Sequence, residues 1–380
     1  MTANRFHGPG IYVLLLLALA MSVTGLSVRA LQKPASKSNP PKNRKLELGR
    51  TLFFDKRLSA DGTVSCATCH DPAAAFASRD AVSKGVREQS GTRNAPTLLN
   101  SFFGKSYFWD GRVSTLEDQA KQPLLNVNEM GMQNEPALIE RVSAIDDYRE
   151  SFRRVFPREG ITIDSITGAI AVFERSLVSR NSPFDRFIGG DKKALTELQK
   201  QGWELFKGKA KCLDCHSYSA AAPFFTDAQF HNTGVQAKEL TFETLSQRAD
   251  EVKSDSNRNL STLAHDPQFS DPGRFLVTSD MKDLGAFKTP TLRDIELTGP
   301  YIHDGSIRTL LDVLRFYNQG GVKTPILDKK IAPLNLTEQE MNAIVEFLRA
   351  LTSDDVLRLV QSSIPQTRTR QDGPTSRRMN

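Results

Sequence analysis

The chain has 380 residues, 39% hydrophobic and 25% charged, which is enough apolar material for sizeable cores and excludes wholesale disorder, a collagen-like repeat and a multi-span membrane protein. Its formal charge of +6 lies on the ends: residues 1–30 carry +2, residues 31–46 carry +5 and residues 364–380 carry +3, leaving 47–363 at −4. A mildly acidic body with no basic face visible in the sequence argues against a nucleic-acid partner.

Residues 1–30 have the order of a secretory signal: Arg5 in a short polar start, an apolar run from Ile11 to Met21, then Val28-Arg29-Ala30 as a small-residue cleavage site. If retained, Ile11 to Val28 would just suffice as one membrane anchor, since spanning takes about 20 apolar residues. Export to the periplasm is expected either way, with a membrane as partner only if the segment is kept. Residues 31–46, rich in Pro, Ser and Lys, read as a flexible leader, and 353–380 as a basic, largely disordered tail.

All four cysteines fall in two copies of one pattern, Cys66-Ala67-Thr68-Cys69-His70 and Cys212-Leu213-Asp214-Cys215-His216. CxxCH is the attachment signature of haem c. Two thiols about one helical turn apart can form thioethers with the two vinyl groups, and the adjacent His is then held under the iron. A zinc site shared by four thiolates is the competing reading. Against it stand the long offset between the copies, the His completing each, and export. The copies open stretches of similar size, so two haem domains are expected, 47–185 (N-terminal) and 186–352 (C-terminal).

Between and after the copies the periodicity is helical. Leu138, Val142, Ile145 and Tyr148 keep one stripe up to Pro157, and Ile166, Ile170, Phe173 and Leu177 keep another. Thr337 to Glu340 reads as a capping box ahead of Met341, Ile344, Val345 and Leu348. No strand alternation of comparable length occurs, so the fold class is all-α with long loops. The polar residues 236–280 read as a surface excursion of the second domain.

A haem that only passes electrons takes two strong axial ligands, whereas one that activates peroxide keeps an open, polar face. Besides His70 and His216 the chain has only His7, His231, His265 and His303, none of them between the two haem histidines. The first domain therefore offers its iron no second His of its own, and a five-coordinate haem is expected there. Peroxide cleavage then needs a group that moves a proton between the two oxygens. Glu129 and Gln119 are candidates, although composition alone does not select Glu129 among 44 acids.

From about Leu46 to Ser353 the chain resembles the bacterial di-haem cytochrome c peroxidases, including their MauG-like branch. The likeness is carried in order by CATCH, GTRNAPTLLN (91–100), FWDGR (108–112), LEDQA (116–120), NVNEMG (126–131), FERSLVSRNSPFDRF (173–187), CLDCH and FKTPTLRDIELTGPYIHDGS (287–306). The resemblance implies two cytochrome c-like domains, each with a covalent haem c. It implies reduction of H2O2 at the N-terminal haem, with electrons entering at the C-terminal haem from a small donor protein, a c-type cytochrome or cupredoxin. Residue by residue, it makes Glu129 the distal acid/base with Gln119 beside it, and Trp109 the conducting aromatic between the haems. It makes Asn94, with the carbonyls of Thr298 and Pro300, an inter-domain Ca²⁺ site, oxygen ligands that suit this cation. His303 falls in the loop beside the second haem as a hydrogen-bonding neighbour.

Two positions depart from the activated peroxidases. Where those carry a plugging histidine, this chain has Val86, which cannot ligate, so the enzyme is expected to be ready in its oxidised state. Where those carry a distal Met at the C-terminal haem, Phe316 to Gly321 resembles the MauG-like branch, and Tyr317 is the candidate ligand, with Met281 the alternative; a phenolate would favour ferric iron. That branch's protein-oxidising route uses a surface tryptophan six residues before the second haem histidine, a place held here by Ala210, with Trp203 nearby. Two alternatives stay open: a MauG-like oxidase acting on a protein or small molecule, and a non-enzymatic electron carrier with both irons six-coordinate. The oligomeric state is not legible.

Overall fold

The structure, a computed structural model, describes residues 41–363 apart from 239 and 255–258. The secretory-signal segment, most of the leader and residues 364–380 lie outside the described residues. The fold is all-α. Its first half contains α1 (Pro41–Phe54), α2 (Cys66–Cys69), α3 (Leu116–Leu125), α4 (Glu135–Ser143), α5 (Asp146–Val155) and α6 (Ile163–Ser176). Its second half contains α7 (Pro183–Ile188), α8 (Glu197–Lys207), α9 (Phe242–Ser254), α10 (Leu260–Ala264), α11 (Phe275–Thr278), α12 (Leu310–Asn318), α13 (Glu338–Arg349) and α14 (Asp354–Ser363).

Side-chain caps start these helices. Thr115, Asn134, Thr162, Ser182, Thr196, Thr309 and Thr337 each accept a backbone N–H from the first turn, and Thr337 with Glu340 forms the expected capping box. Among the described residues, strand pairing is limited to β1 (Phe230–His231) and β2 (Phe287–Lys288), antiparallel, with Phe230 opposite Lys288.

Each half is built round one helix crossing with a glycine at its centre. Gly49 of α1 lies against the Ala169 carbonyl and Phe173 of α6; Gly202 of α8 lies against the Ala343 carbonyl and Phe347 of α13. Any Cβ at either glycine would run into that carbonyl, so only Gly lets the backbones approach so closely. One core gathers Leu52, Phe53, Leu138, Phe152, Ile166 and Ile170. A second gathers Phe184, Trp203, Phe206, Phe225, Ile344 and Phe347.

The structure corrects four expectations. The stripe Leu138 to Tyr148 is two helices: Ile145 is extended and starts α5, whose Asp146 and Asp147 suit a helix N-terminus. The excursion 236–280 carries α9, α10 and α11, with a small core of its own from Leu245, Ala249, Val252, Ala264, Phe275 and Leu276. In the leader, α1 already begins at Pro41. In the tail, α14 buries Val356 in the first core, with Leu359 and Val360 against it. No described helix is long and apolar enough to cross a membrane; Ile11 to Val28 lie outside the described residues.

Candidate functional site

Both CxxCH segments fold as one tight turn closed by the His N–H on the carbonyl of the first Cys. Cys66 to Cys69 form the single turn α2, started by Ser65, whose N–H is accepted by Thr68 Oγ1 at 2.9 Å. His70 follows, its N–H donating to the Cys66 carbonyl at 2.9 Å. In the second copy, a 3-10 turn covers Cys212 to Asp214, and the His216 N–H donates to the Cys212 carbonyl at 2.8 Å. Each turn thus presents two sulfurs and one imidazole side by side.

The imidazole tautomers are set by backbone carbonyls. His70 Nδ1 lies 3.2 Å from Phe76 O and 3.0 Å from Pro96 O, and His216 Nδ1 lies 2.9 Å from Phe225 O. A carbonyl only accepts, so the proton sits on Nδ1 and each Nε2 keeps its lone pair for a metal. Burial lowers both histidines toward the neutral, ligating form. It also raises the thiols, Cys69 to about 11 and Cys212 to about 12, which is the opposite of a reactive redox dithiol. Among the described residues the four sulfurs do not converge on one cation. The one potential metal cluster is Cys215, Asp227 and His231, and Cys215 belongs to a CxxCH. These donor sets fit two covalent haems c and not a shared zinc.

His231 is held between two carboxylates, its Nε2 2.9 Å from Asp227 and its Nδ1 2.6 Å from Asp328. The Cys215 sulfur and these two acids push it up to about 10.

Glu129 sits in the tight turn after α3. Its N–H donates to the Asn126 carbonyl at 3.1 Å, while its own carbonyl accepts the Val86 N–H at 2.8 Å. That contact exists because residue 85 is glycine: a Cβ there would collide with the carbonyls of Asn128 and Glu129. Val86 is fully buried, its Cγ2 against Gly131. Burial works to raise the Glu129 carboxyl, but His265, Arg112 and His70 outweigh it and hold it below the usual range. Its charge is felt by Cys66, Cys69 and His70 together. Glu129 Oε2 and Gln119 Oε1 are buried without hydrogen-bond partners. Glu129, whose charge reaches a CxxCH, and Gln119 on α3 each carry an orphaned buried oxygen, the kind of group that a small polar ligand at an open haem face would satisfy.

Sequence reasoning missed His265. It ends α10, in the excursion read as mere surface, and its Nε2 lies 3.5 Å from Glu129 Oε1. The only signal available was the scarcity of histidines.

Trp109 donates Nε1–H to the Asn94 carbonyl at 2.8 Å, and its own carbonyl accepts the Lys288 N–H at 2.8 Å. The Asn94 N–H donates to the His303 carbonyl at 2.7 Å. The His303 ring stacks on Phe287 with centroids 3.5 Å apart and meets Trp109 edge-on at 6.4 Å. His303 therefore acts on this loop through its backbone and its ring face, and burial holds it neutral. Next to Trp109, the buried Asp110 binds Arg93 at 2.6 Å and Arg112 at 3.0 Å.

Asn94 spends its amide NH₂ on the carbonyls of Asp80 and Ala81, which leaves Oδ1 for a cation. Thr298 is buried and Pro300 follows the cis Gly299–Pro300 bond. Tyr317 lies on α12. Burial first, then the Cys215 and Cys212 thiols, raises its phenol, which puts it beside the second CxxCH. Met281, in contrast, is 41% exposed. Ala210 and Trp203 are both buried, Trp203 within an aromatic cluster with Phe184, Phe206 and Phe347. No surface tryptophan stands at that place.

Comparison with known proteins agrees with this geometry. A family model described as di-haem cytochrome c peroxidase matches residues 43–193. The chain is 37% identical over 339 residues to cytochrome-c peroxidase IdrP2 of Denitromonas iodatirespirans, covering 86% of each chain. It is 36% identical over 320 residues to methylamine utilization protein MauG of Methylophilus methylotrophus, covering 84% of this chain and 85% of that one. Among solved structures, it is similar to a MauG-like protein associated with microbial copper homeostasis, with a TM-score of 0.68, 32% identity, and 84% of this chain and 92% of that chain covered.

Proposed function

The chain belongs to the di-haem cytochrome c peroxidase family, and on that footing we propose that it is a periplasmic enzyme reducing H2O2 to water with electrons from a small donor protein, a c-type cytochrome or cupredoxin. One observation carries this reading. Glu129 is an acid whose charge reaches Cys66, Cys69 and His70 at once, and its Oε2 has no partner.

Bound at the two CxxCH segments, the haems supply the redox chemistry; the chain supplies position and protons. Glu129 takes the proton from one peroxide oxygen and returns it to the other, which departs as water, with Gln119 orienting the molecule. Trp109, fixed at both its indole N–H and its carbonyl, is the aromatic bridge for electrons. Val86 provides no plug, so no reductive activation is needed. Asn94, with the carbonyls of Thr298 and Pro300, holds Ca²⁺.

The expected effect of Glu129→Gln is loss of peroxide turnover by about 10²–10⁴-fold with both haems retained. Turnover at the parental rate would refute the assignment. A second reading, oxidation of a protein or small molecule in the manner of the MauG-like branch, is favoured by Tyr317 beside the second CxxCH. It predicts a near-infrared charge-resonance band when H2O2 is added to the diferric protein; peroxide reduction with a donor protein does not require one. An electron carrier would need a second strong ligand at the first iron, and Val86 offers none.

A further inference from the structure

Glu129 has a partner that the proton transfer described above does not use. His265 Nδ1 lies 2.6 Å from the Ser261 carbonyl and its Nε2 lies 3.5 Å from Glu129 Oε1. Because a carbonyl only accepts, the ring's first proton occupies Nδ1. The neutral ring then turns a lone pair toward a carboxylate oxygen. Two acceptors face each other stably only when one further proton lies between them. That proton sits either on Nε2, giving imidazolium and carboxylate, or on Glu129, giving imidazole and carboxylic acid.

The segment that delivers His265 is anchored. Thr92 Oγ1 donates to the Ala264 carbonyl at 2.8 Å, and Arg93 Nη2 donates to the Ser270 carbonyl at 2.7 Å. The two Glu129 oxygens thus have different surroundings: Oε1 faces His265, and Oε2 is unpartnered. Contacts of this kind are often long before substrate binds and tighten in the reacting complex.

We propose that His265 is a positioning residue for Glu129: the pair shares one proton, and His265 orients Oε1 and returns that proton to the carboxyl. The proposal rests on the reading of Glu129 as the acid–base group. Each H2O2 reduced to two waters takes up two electrons, supplied by the one-electron donor protein, and two protons. Glu129 merely transfers a proton between the two peroxide oxygens, so the two consumed protons enter separately. His265, with 13% of its side chain exposed against 31% for Glu129, is the protonatable side chain set against Oε1. The other groups whose charge acts on Glu129 are Arg112 and His70, and its own charge reaches Cys66 and Cys69. Arg112 is tied to Asp110 and Gln122, and His70 is committed to iron, so neither can relay a proton.

The test uses the full haem-loaded protein and His265→Gln, whose amide can donate to Oε1 but cannot carry a proton. Hydrogen cyanide gives up its proton to the distal base as it binds ferric haem, so the pH dependence of cyanide association reports the ionisation of Glu129. An opposite charge at this range lowers a carboxyl by about 1–3 pH units, so His265→Gln should move that ionisation up by about one unit or more. In a Glu129→Gln background, His265→Gln should change nothing further. An unmoved ionisation, or the same shift in both backgrounds, overturns the shared proton. So does a low-spin ferric spectrum that becomes high-spin in His265→Gln, because His265 would then be an iron ligand. An inactive Glu129→Gln together with an unmoved His265→Gln overturns this inference alone; an active Glu129→Gln overturns it together with the reading on which it rests.

Discussion

Asp110 is a buried carboxylate held between two arginines, and Asp110→Asn removes its charge while keeping its shape. The carboxylate has no exposed surface and joins Arg93 at 2.6 Å to Arg112 at 3.0–3.1 Å. Without it, two nearly buried guanidinium groups lose the carboxylate to which both are directly paired. Breaking a buried pair by removing one partner costs about 3–5 kcal/mol. With an unfolding entropy of about 2.1 cal/mol/K per residue over roughly 320 residues, that is a fall in Tm of about 4–8 °C. The assay is a thermal melt of the haem-loaded protein at pH 7, with Glu150→Gln as a control. Glu150 pairs with Arg153 and Arg154 on an exposed helix face and should give no resolvable change. The pH dependence adds a second check. Burial works to raise the Asp110 carboxyl, but Arg93 and Arg112 outweigh it and hold it low. A carboxyl lowered by folding stabilises the fold at pH above its unfolded value, about 3.9, and loses that effect as pH falls through the folded value. The gap between parent and variant should therefore be constant from pH 7 to 5 and close below about pH 4. A Tm shift no larger than that of Glu150→Gln, or a gap that widens in acid, would refute the reasoning.

Val86→His restores the residue type that plugs the peroxidatic iron in peroxidases needing activation, at a buried position whose backbone already touches Glu129. The diferric protein should then turn low-spin and lose its peroxide reduction until pre-reduced; a high-spin, fully active variant would show that residue 86 does not face the iron. Gly202→Ala pushes a methyl into the Ala343 carbonyl and Phe347, and Gly49→Ala does the same at Ala169 and Phe173. Overpacking of this kind costs about 1–3 kcal/mol, so each variant should unfold at lower denaturant than the parent, and an unchanged midpoint would deny that the crossings are tight.

Residues whose partners are close in sequence, or whose chemistry is fixed by a motif, were legible. The Thr337 box and the apolar face behind it need only local periodicity. Each CxxCH reports its own haem, because one turn of backbone sets the distance between the thiols. The stripe across Leu138 to Tyr148 misled because hydrophobic spacing survives a break: Ile145 stays on the buried side although its backbone is extended. His265 was illegible for a different reason. It lies more than a hundred residues from Glu129, in a segment whose polar composition predicts solvent, and nothing local marks it.

The polar character of that segment has a structural cause. Arg274 donates from Nη1 to the carbonyls of Asp110 and Gly111 at 2.9 and 3.1 Å, and its guanidinium lies over Phe230 at 4.3 Å. Arg93 reaches the Ser270 carbonyl from the opposite direction while holding Asp110. The excursion is thus fastened to the turn 108–112 by arginines and carbonyls rather than by apolar burial, and residues suited to that task read as surface. The same short turn carries Trp109, whose indole is fixed on Asn94, and Arg112, whose charge helps hold Glu129 ionised. The proposed electron bridge and a group that tunes the proposed proton carrier are therefore mounted on one hydrogen-bonded loop, with His265 brought to Glu129 by the segment clamped against it. Motion that displaced the excursion would disturb proton supply and the Trp109 loop together, which gives a physical reason for paired arginines where a hydrophobic contact would allow slip.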